Sequence, residues 1–479
     1  MHLDWLHLGT LLAIIHLFGL IAACHAILNT RTSQGAIAWA VSLATMPYLT
    51  LVPYLFLGRS KFAGYADARR LRNETLRART DVPDWDKLVS AGEWPADALG
   101  VRVIRTFARL GGMPLVPGNS VRTLPNGEAT FSAIFDAIER AQHYVLVQFF
   151  IVRADALGDM LKELLIACAQ RGVRAYFLYD SIGSFDLPAR YVNELRDGGV
   201  DVHPFSTTHF VNRFQLNFRN HRKIVVVDGQ CAFVGGHNVG IEYLGANPRL
   251  SPWRDTHIEV RGPVVANLQF AFTEDWYWAT QKLPECRPPT VEPRDGDDMY
   301  CLVMPTGPAD RQETCSLFFV EAINAAKKRL WITTPYLVPD SAVFAALRLA
   351  VLRGVDVRIM IPSRRDHYVV FEASMLYAYD AVRAGIRIFR YTPGFLHQKI
   401  VLIDDVAAAV GSANLDNRSF RLNFEVMVVT VHHGFAAEVE AMLLRDFDET
   451  VEIDRSEYRD APAWRKITMH LARLFAPIL

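Results

Sequence analysis

The sequence predicts an α/β protein: two duplicated α/β sandwich domains behind an N-terminal two-helix transmembrane hairpin. Three observations carry that reading. Two long stretches near the start hold no charged residue. A helix-then-strand pattern then occurs twice. Each occurrence ends in the same polar signature, which begins with His-x-Lys.

The hairpin comes first. Trp5 to Leu28 and Ala36 to Leu57 contain no Lys, Arg, Asp or Glu. Each exceeds the roughly 20 residues that a helix needs to cross a hydrocarbon core. The short link between them holds one charge, Arg31. A cleaved signal peptide would need a basic start, and the first residues offer Asp4 and no Lys or Arg. His16 and His25, within the first span, read as neutral packed or interfacial side chains. The chain then turns basic at Arg59, Lys61, Arg69, Arg70, Arg72, Arg77 and Arg79. By the positive-inside rule that side is cytoplasmic, so the expectation is a multi-pass membrane protein with its larger part in the cytosol. The same cations favour anionic headgroups.

Beyond this, 479 residues leave room for two further domains. Lys plus Arg and Asp plus Glu both number 51, a balance that argues against a dedicated nucleic-acid binder. Six scattered cysteines form no C-x-x-C. They read as buried thiols in a reducing compartment, not as a zinc site or disulfide framework.

The duplication is visible in matched segments. Phe131 to Val152 and Leu317 to Val338 each read as a helix running into a buried strand. Cys168 to Asp180 and Ala350 to Pro362 each end a helix in Gly-Val and begin a new strand. Such alternation indicates α/β architecture, and so long a period indicates domain duplication. The Pro-rich acidic stretch Cys286 to Asp298 reads as the linker. The expected boundaries are 1–58 for the hairpin, 59–115 for a basic juxtamembrane and connecting segment, and 116–290 and 291–479 for the two repeats.

The polar signature is H-x-K-x4-D-x6-G-[GS]-x-N. It comprises His221, Lys223, Asp228 and Asn238 in the first half, and His397, Lys399, Asp404 and Asn414 in the second. On a strand, residues i and i+2 share a face, so each His and Lys would project together. "IVVV" and "IVLI" then supply a buried strand, and Asp228-Gly229 a hairpin turn. Neutral imidazole is a nucleophile that titrates near physiological pH. Two imidazoles facing one site can divide attack from proton transfer. Two ammonium groups and two amides suit the oxygens of a phosphodiester, supplying fixed positive charge where negative charge develops. No acidic cluster resembles a metal site, so metal independence and no cofactor are expected. A catalytic histidine needs an acceptor on its other nitrogen. Asp255 and Glu425 lie similarly far downstream of His221 and His397 and are the candidates. Asp228 and Asp404 belong to the catalytic motif but sit at turns, where they read as structural anchors. His237, where the second half has Ala413, reads as packing beside the site.

These paired signatures resemble the HKD motifs of the phospholipase D superfamily. "NFRNHRKIVVVDG", "WRDTHIEVRGPVV", "TPYLVPD", "GFLHQKIVLID" and "GSANLDNRSFRLNFEV", together with the apolar hairpin, resemble bacterial cardiolipin synthases of the two-transmembrane kind. The resemblance runs from about Ala36 to the C-terminus. It implies two phospholipase D-like domains that build one site at their interface, in a multi-pass protein of the bacterial inner membrane. It implies that two phosphatidylglycerol molecules become cardiolipin and glycerol through a phosphatidyl-histidine. His221 would attack, His397 would move the proton, and the two roles can be exchanged. Lys223, Lys399, Asn238 and Asn414 would hold the phosphate. The partners implied are membrane phospholipids and the bilayer, with no nucleic acid. The alternatives are a phospholipase D that hydrolyses lipid, a transferase with another alcohol acceptor and, against the neutral charge and the hairpin, a nuclease. Finally, Trp464, Ile467, Leu471, Leu474 and Phe475 share one face of a C-terminal helix. That helix reads either as an interfacial helix or as a last helix packed on the domain.

Overall fold

β-branched runs buried on both faces belong at the centre of a sheet, and the two motif strands are placed there. The structure, a computed structural model, describes residues 2–30, 32–58, 99–206, 217–286, 296 and 298–479. Ile224–Val227 and Ile400–Ile403 are fully buried central strands. Ile224 and Val226 face one core while Val225 and Val227 face another, the period of two that a strand imposes.

The first half contributes strands in the spatial order Val116–Pro125, Thr256–Arg261, Cys231–Gly235, Ile224–Val227, Tyr144–Phe149, Arg174–Asp180 and Asp201–Phe205. The second half repeats it with Met299–Thr306, Asn423–Val431, Ala407–Gly411, Ile400–Ile403, Arg329–Thr333, Asp356–Pro362 and Arg387–Tyr391, and adds Thr450–Glu452 at the edge. Val116–Pro125 pairs antiparallel with Met299–Thr306, so the halves form one continuous sheet. Helices Val265–Thr280 and His433–Asp448 cover one face, with a single core shared by both halves. The other face carries two separate cores. One lies under Asn126–Glu139 and Ala156–Gln170, the other under Thr314–Ala325 and Ser341–Leu352. The matched helix–strand segments of the sequence are all formed.

Three features depart from the expected plan. Helix Val101–Gly111, N-terminal to the first repeat, packs on the second, with Phe107 against Phe318 at 5.4 Å. The first apolar span is one helix, His2–Asn29, while the second is two helices, Ser33–Thr45 and Pro47–Leu57. Pro47 lacks the N–H that would continue the ladder, and the chain bends at Met46. The Thr50 hydroxyl donates to the Ser42 carbonyl across the bend at 3.1 Å. Only His7–Asn29 is, among the described residues, a single helix long and apolar enough to cross a membrane. The broken helices still pack on it. A Cβ at Gly19 would meet the Leu43 carbonyl at 2.5 Å, so only glycine permits this approach. His25 Nδ1 meets the Tyr54 hydroxyl at 2.7 Å, linking the first helix to the third. The basic run from Arg59 to Arg79 and most of the linker from Cys286 lie outside the described residues.

Candidate active site

Each His-x-Lys lies not on a strand, as expected, but in a three-residue irregular segment ahead of it, so His and Lys do not project together. The two-residue strand before it pairs with the opposite half. Arg219–Asn220 runs parallel to Asn423–Phe424, and the His221 N–H donates to the Phe424 carbonyl at 2.9 Å. Phe395–Leu396 runs parallel to Trp253–Arg254, and the His397 N–H donates to the Arg254 carbonyl at 2.7 Å. This register sets Glu425 beside His221 and Asp255 beside His397. The contacts follow: His221 Nδ1 to Glu425 Oε2 is 2.9 Å, and His397 Nδ1 to Asp255 Oδ2 is 2.7 Å. The pairing is therefore crossed, each imidazole held by a carboxylate from the other half. Distance along the chain does not reveal this, because the partner of each histidine is not the carboxylate downstream of it in its own half.

Both carboxylates are themselves fixed. Glu425 also accepts from the hydroxyls of Ser412 at 2.6 Å and Ser419 at 2.9 Å, and from Asn423 Nδ2 at 3.1 Å. Asp255 sits over Gly236, where a Cβ would fall 2.1 Å from its Oδ1. This explains why the motif reads Gly-Gly in one half and Gly-Ser in the other. Position 236 must leave room for a carboxylate, while Ser412 reaches out to one. His237 packs against His257, Nδ1 to Nδ1 at 3.0 Å, and does not line the cavity.

The ε-nitrogens of both histidines are left to one cavity of about 790 Å³, lined by residues of both halves including His221, His397, Asn238 and Asn414. Phe150 packs edge-on to His221 at 4.9 Å and Trp253 lies 5.1 Å from His397. Lys223 and Lys399 are buried behind the cavity wall, each ammonium on the carbonyl of the histidine two residues earlier. Burial pushes His221 down to about 4, against the pull of Glu425, and carries His397 well below its ordinary value, with Lys399 and Lys223 adding to the effect. Burial opposes the Glu425 charge, yet His221 and Lys223 hold its carboxyl below the usual range. Burial pushes Lys399 down to about 8 and Lys223 well below its usual value. Neutral imidazoles donate through Nδ1 to the carboxylates and direct Nε2 lone pairs into the cavity.

Asp228 and Asp404 are elsewhere. Asp228, at φ +52°, accepts from the N–H groups of Gln142, His143 and Tyr144, each at 2.8 Å. Asp404, also at φ +52°, accepts from Lys327, Lys328 and Arg329. Neither lines the cavity. Counting them with the catalytic groups is corrected to this extent: their oxygens are taken up by backbone donors, and they pin the strand neighbouring each motif strand.

Several wall residues carried no assigned role in the sequence: Tyr243, Tyr336, Asp366, Asp416, Arg418 and Asn423. All but Asp366 lie in the segments "EYLG", "TPYLVPD" and "LDNRSFRLNFE". Arg222, beside His221, was also missed. It pairs with the buried Asp275 at 3.0 Å and donates to the carbonyls of Glu425 and Thr306, clamping the second half to the first. Arg254 makes a bidentate pair with Asp446 at 2.7 and 2.8 Å across the same interface. Among the described residues, no group of three or more His, Cys, Asp or Glu is arranged to hold a metal.

A duplicated α/β sheet with two histidine–carboxylate pairs around one shared cavity defines the phospholipase D class of fold and site. Phosphatidylserine synthase of Haemophilus influenzae has that fold, with a TM-score of 0.61 at 15% identity over 78% of this chain and 99% of that one. The family described as "Cardiolipin synthase, PLD-like domain" matches residues 134–270 and 319–447. Cardiolipin synthase A of Pseudomonas aeruginosa PAO1 is 58% identical over 99% of this chain and 96% of that protein. Cardiolipin synthase A of Pseudomonas putida is 54% identical over the full length of both. The chain belongs to the cardiolipin synthase family, phosphatidyl transferases with phospholipase D-like domains.

Proposed function

We propose that this phosphatidyl transferase joins two phosphatidylglycerol molecules into cardiolipin and releases glycerol, without a metal ion. The observation that carries the reading is the crossed pair of imidazoles opening onto one cavity. His221 Nε2 attacks the phosphorus of the first lipid. A P–N bond forms, the P–O bond to the headgroup glycerol breaks, and His397 gives its proton to the departing oxygen. The headgroup hydroxyl of the second lipid then loses its proton to His397 and attacks. A P–O bond forms and the P–N bond breaks, which frees His221. The two histidines can exchange roles, since each has the same partner type. Glu425 and Asp255 stabilise the imidazolium that each step creates. Lys223 and Lys399 supply positive charge behind the phosphate, while Asn238 and Asn414 offer amide donors from the wall. Each amide nitrogen makes one internal bond, Asn238 to the Tyr243 hydroxyl and Asn414 to Asp416, and keeps a second hydrogen. His397 must carry a proton to the leaving group. An entering phosphodiester adds negative charge, which opposes the causes that depress the site's imidazoles, so substrate draws that proton in.

The same reading sets the protein in the inner membrane of a bacterium. His2–Asn29 exposes Leu17, Phe18, Ile21 and Leu28, an apolar surface suited to lipid and not to water. Helices Ser33–Thr45 and Pro47–Leu57, bent at Met46, complete a two-pass hairpin, and the basic run after it keeps the two repeats in the cytosol. Helix Ala463–Arg473 buries Met469 and Ala472 on the domain while Trp464, Ile467, Leu471, Leu474 and Phe475 stay exposed. That outer face, flanked by Arg465, Lys466 and Arg473, suits the bilayer interface. Ile478 and Leu479, just beyond it, line the cavity, so the face would set the mouth of the site against the membrane.

The test is product analysis. Purified protein given phosphatidylglycerol and a chelator should release glycerol and form cardiolipin. Phosphatidic acid as the only lipid product would mean hydrolysis.

A further inference from the structure

Among the described residues, the cavity wall carries two guanidinium groups, one from each half, and only one is neutralised. Arg153, on the first-half side, pairs with Asp186 at 2.7 Å and with Glu242 at 3.6 Å. Arg418, on the second-half side, forms no ion pair among the described residues. Its side chain is held by neutral oxygens alone. Nη2 donates to the Asn217 carbonyl at 2.9 Å, and Nη1 donates to the Ile478 carbonyl at 3.2 Å and to Asn217 Oδ1 at 3.4 Å. The two terminal nitrogens thus share Asn217 across the end of the fork. The side edge, Nε–H with the second Nη2 hydrogen, has no protein acceptor, and the half-buried side chain presents it at the cavity wall. Asp416 and Asp180 act on Arg418 only from a distance, because their oxygens are committed. Asp416 accepts from the Ser419 N–H at 2.7 Å and from Asn414 Nδ2 at 3.2 Å, and Asp180 accepts from the N–H groups of Ile182, Gly183 and Asn220. Burial outweighs these charges and lowers Arg418 from its ordinary value. A second guanidinium, Arg219, is close enough for the two charges to oppose each other, and burial together with Arg418 pushes it down to about 10.

A buried cation without a counter-charge calls for an anion, and the open side edge matches two oxygens of a phosphate. That phosphate is not the reacting one, which lies between His221 and His397 in front of the two lysines. Arg418 is tied to Asn217, four residues ahead of His221. At about 3.3 Å per extended residue, that is on the order of 10 Å from the imidazole. Cardiolipin carries two phosphodiesters joined by one glycerol, so the acceptor brings its own phosphate to a second place in the same cavity. We infer that Arg418 anchors the phosphodiester of the acceptor lipid and so holds its headgroup hydroxyl toward the reacting phosphorus. The inference rests on the phosphatidyl-transfer reading above. It makes Arg418 a determinant of acceptor choice. An alcohol that carries an anion one glycerol away is favoured over free glycerol, the leaving group of the first step, and over water.

Arg418→Gln tests this. With the full chain in detergent, two rates are read from one pool of phosphatidylglycerol: formation of cardiolipin, and entry of radiolabelled glycerol into phosphatidylglycerol. Both draw on the same phosphatidyl-enzyme, and only the first uses an acceptor with a phosphate. The ratio of cardiolipin formed to glycerol exchanged should fall about tenfold or more, the loss expected for one charge-assisted hydrogen bond. An unchanged ratio, as from a residue that only ties down Ile478, overturns the anchor. A second measurement needs no variant. The wild-type chain, given labelled phosphatidylglycerol, is offered glycerol or glycerophosphoglycerol, the headgroup phosphodiester without acyl chains. Glycerophosphoglycerol should capture the phosphatidyl group about tenfold more efficiently per mole. Equal capture overturns the anchor. A wild-type chain that yields phosphatidic acid alone contradicts the transferase reading itself, whereas cardiolipin formed without a preference for the phosphodiester contradicts only the anchor.

Discussion

Glu425→Gln removes a charge from the imidazole that the reaction makes positive. The carboxylate lies 2.9 Å from His221 Nδ1 and is fully buried, and it does not line the cavity. Its charge therefore acts on the ring and not directly on the lipid. A unit charge about 4 Å from the developing imidazolium is worth about 4 kcal/mol at an effective dielectric of 20. That corresponds to about a thousandfold in rate. The amide keeps the shape and one acceptor, so substrate affinity should change little. The expected result is a kcat for cardiolipin formation down about 10³-fold with KM within a few-fold of wild type. The crossing of the pairs gives a sharper readout. Mass spectrometry can follow acylation of each histidine by diethyl pyrocarbonate, which reports imidazole nucleophilicity. Glu425→Gln should slow modification of His221 and leave His397 unchanged, and Asp255→Asn should do the reverse. A kcat within tenfold of wild type, or slowing at the histidine of the same half, would refute the reasoning.

Other outcomes follow from the same geometry. Lys399 is pushed down to about 8 by burial, so raising the pH through that value strips positive charge from behind the phosphate. A pH series of kcat/KM should fall on the alkaline side with a midpoint near 8, and a flat profile to pH 10 would contradict this role. Gly236→Ala drives a Cβ into Asp255 and should lower kcat about a hundredfold by misplacing His397. Ser412→Ala, which removes one of several bonds to Glu425, should cost no more than about tenfold. Equal losses in these two variants would undo the explanation of the Gly-Gly and Gly-Ser forms. Ile467→Glu with Leu471→Glu should raise the apparent KM for phosphatidylglycerol in bilayers at least tenfold while sparing turnover of dispersed short-chain phosphatidylglycerol. Equal effects on both substrates would mean that the helix only packs.

The α/β repeats were legible because their signals are local. A β-branched run such as "IVVV" between Lys223 and Asp228 can hardly be anything but a buried strand, and a second copy removes the ambiguity. The four motif residues of each half were legible for the same reason. Which carboxylate serves which histidine was not. That choice is made by the parallel pairing of Arg219–Asn220 with Asn423–Phe424 and of Phe395–Leu396 with Trp253–Arg254, a long-range register that leaves no local trace. The wall residues Asp416, Arg418 and Asn423 were hidden differently. Their types are ordinary for a helix start and a strand edge, and only the folded chain brings them to one cavity wall. The bend at Met46 was readable in Pro47, but charge-free length outweighed it.

The central claim is that two imidazoles from sister halves work on one phosphorus, one as nucleophile and one as proton carrier. Its most direct measurement is mass-spectrometric mapping of the covalent intermediate after an acid-free quench, in wild type and in the His221→Ala and His397→Ala variants. A phosphatidyl adduct on a single one of these histidines, lost when that residue is replaced, with turnover lost in both variants, is the expected result. Adducts on neither histidine, or full turnover surviving either replacement, would contradict the account.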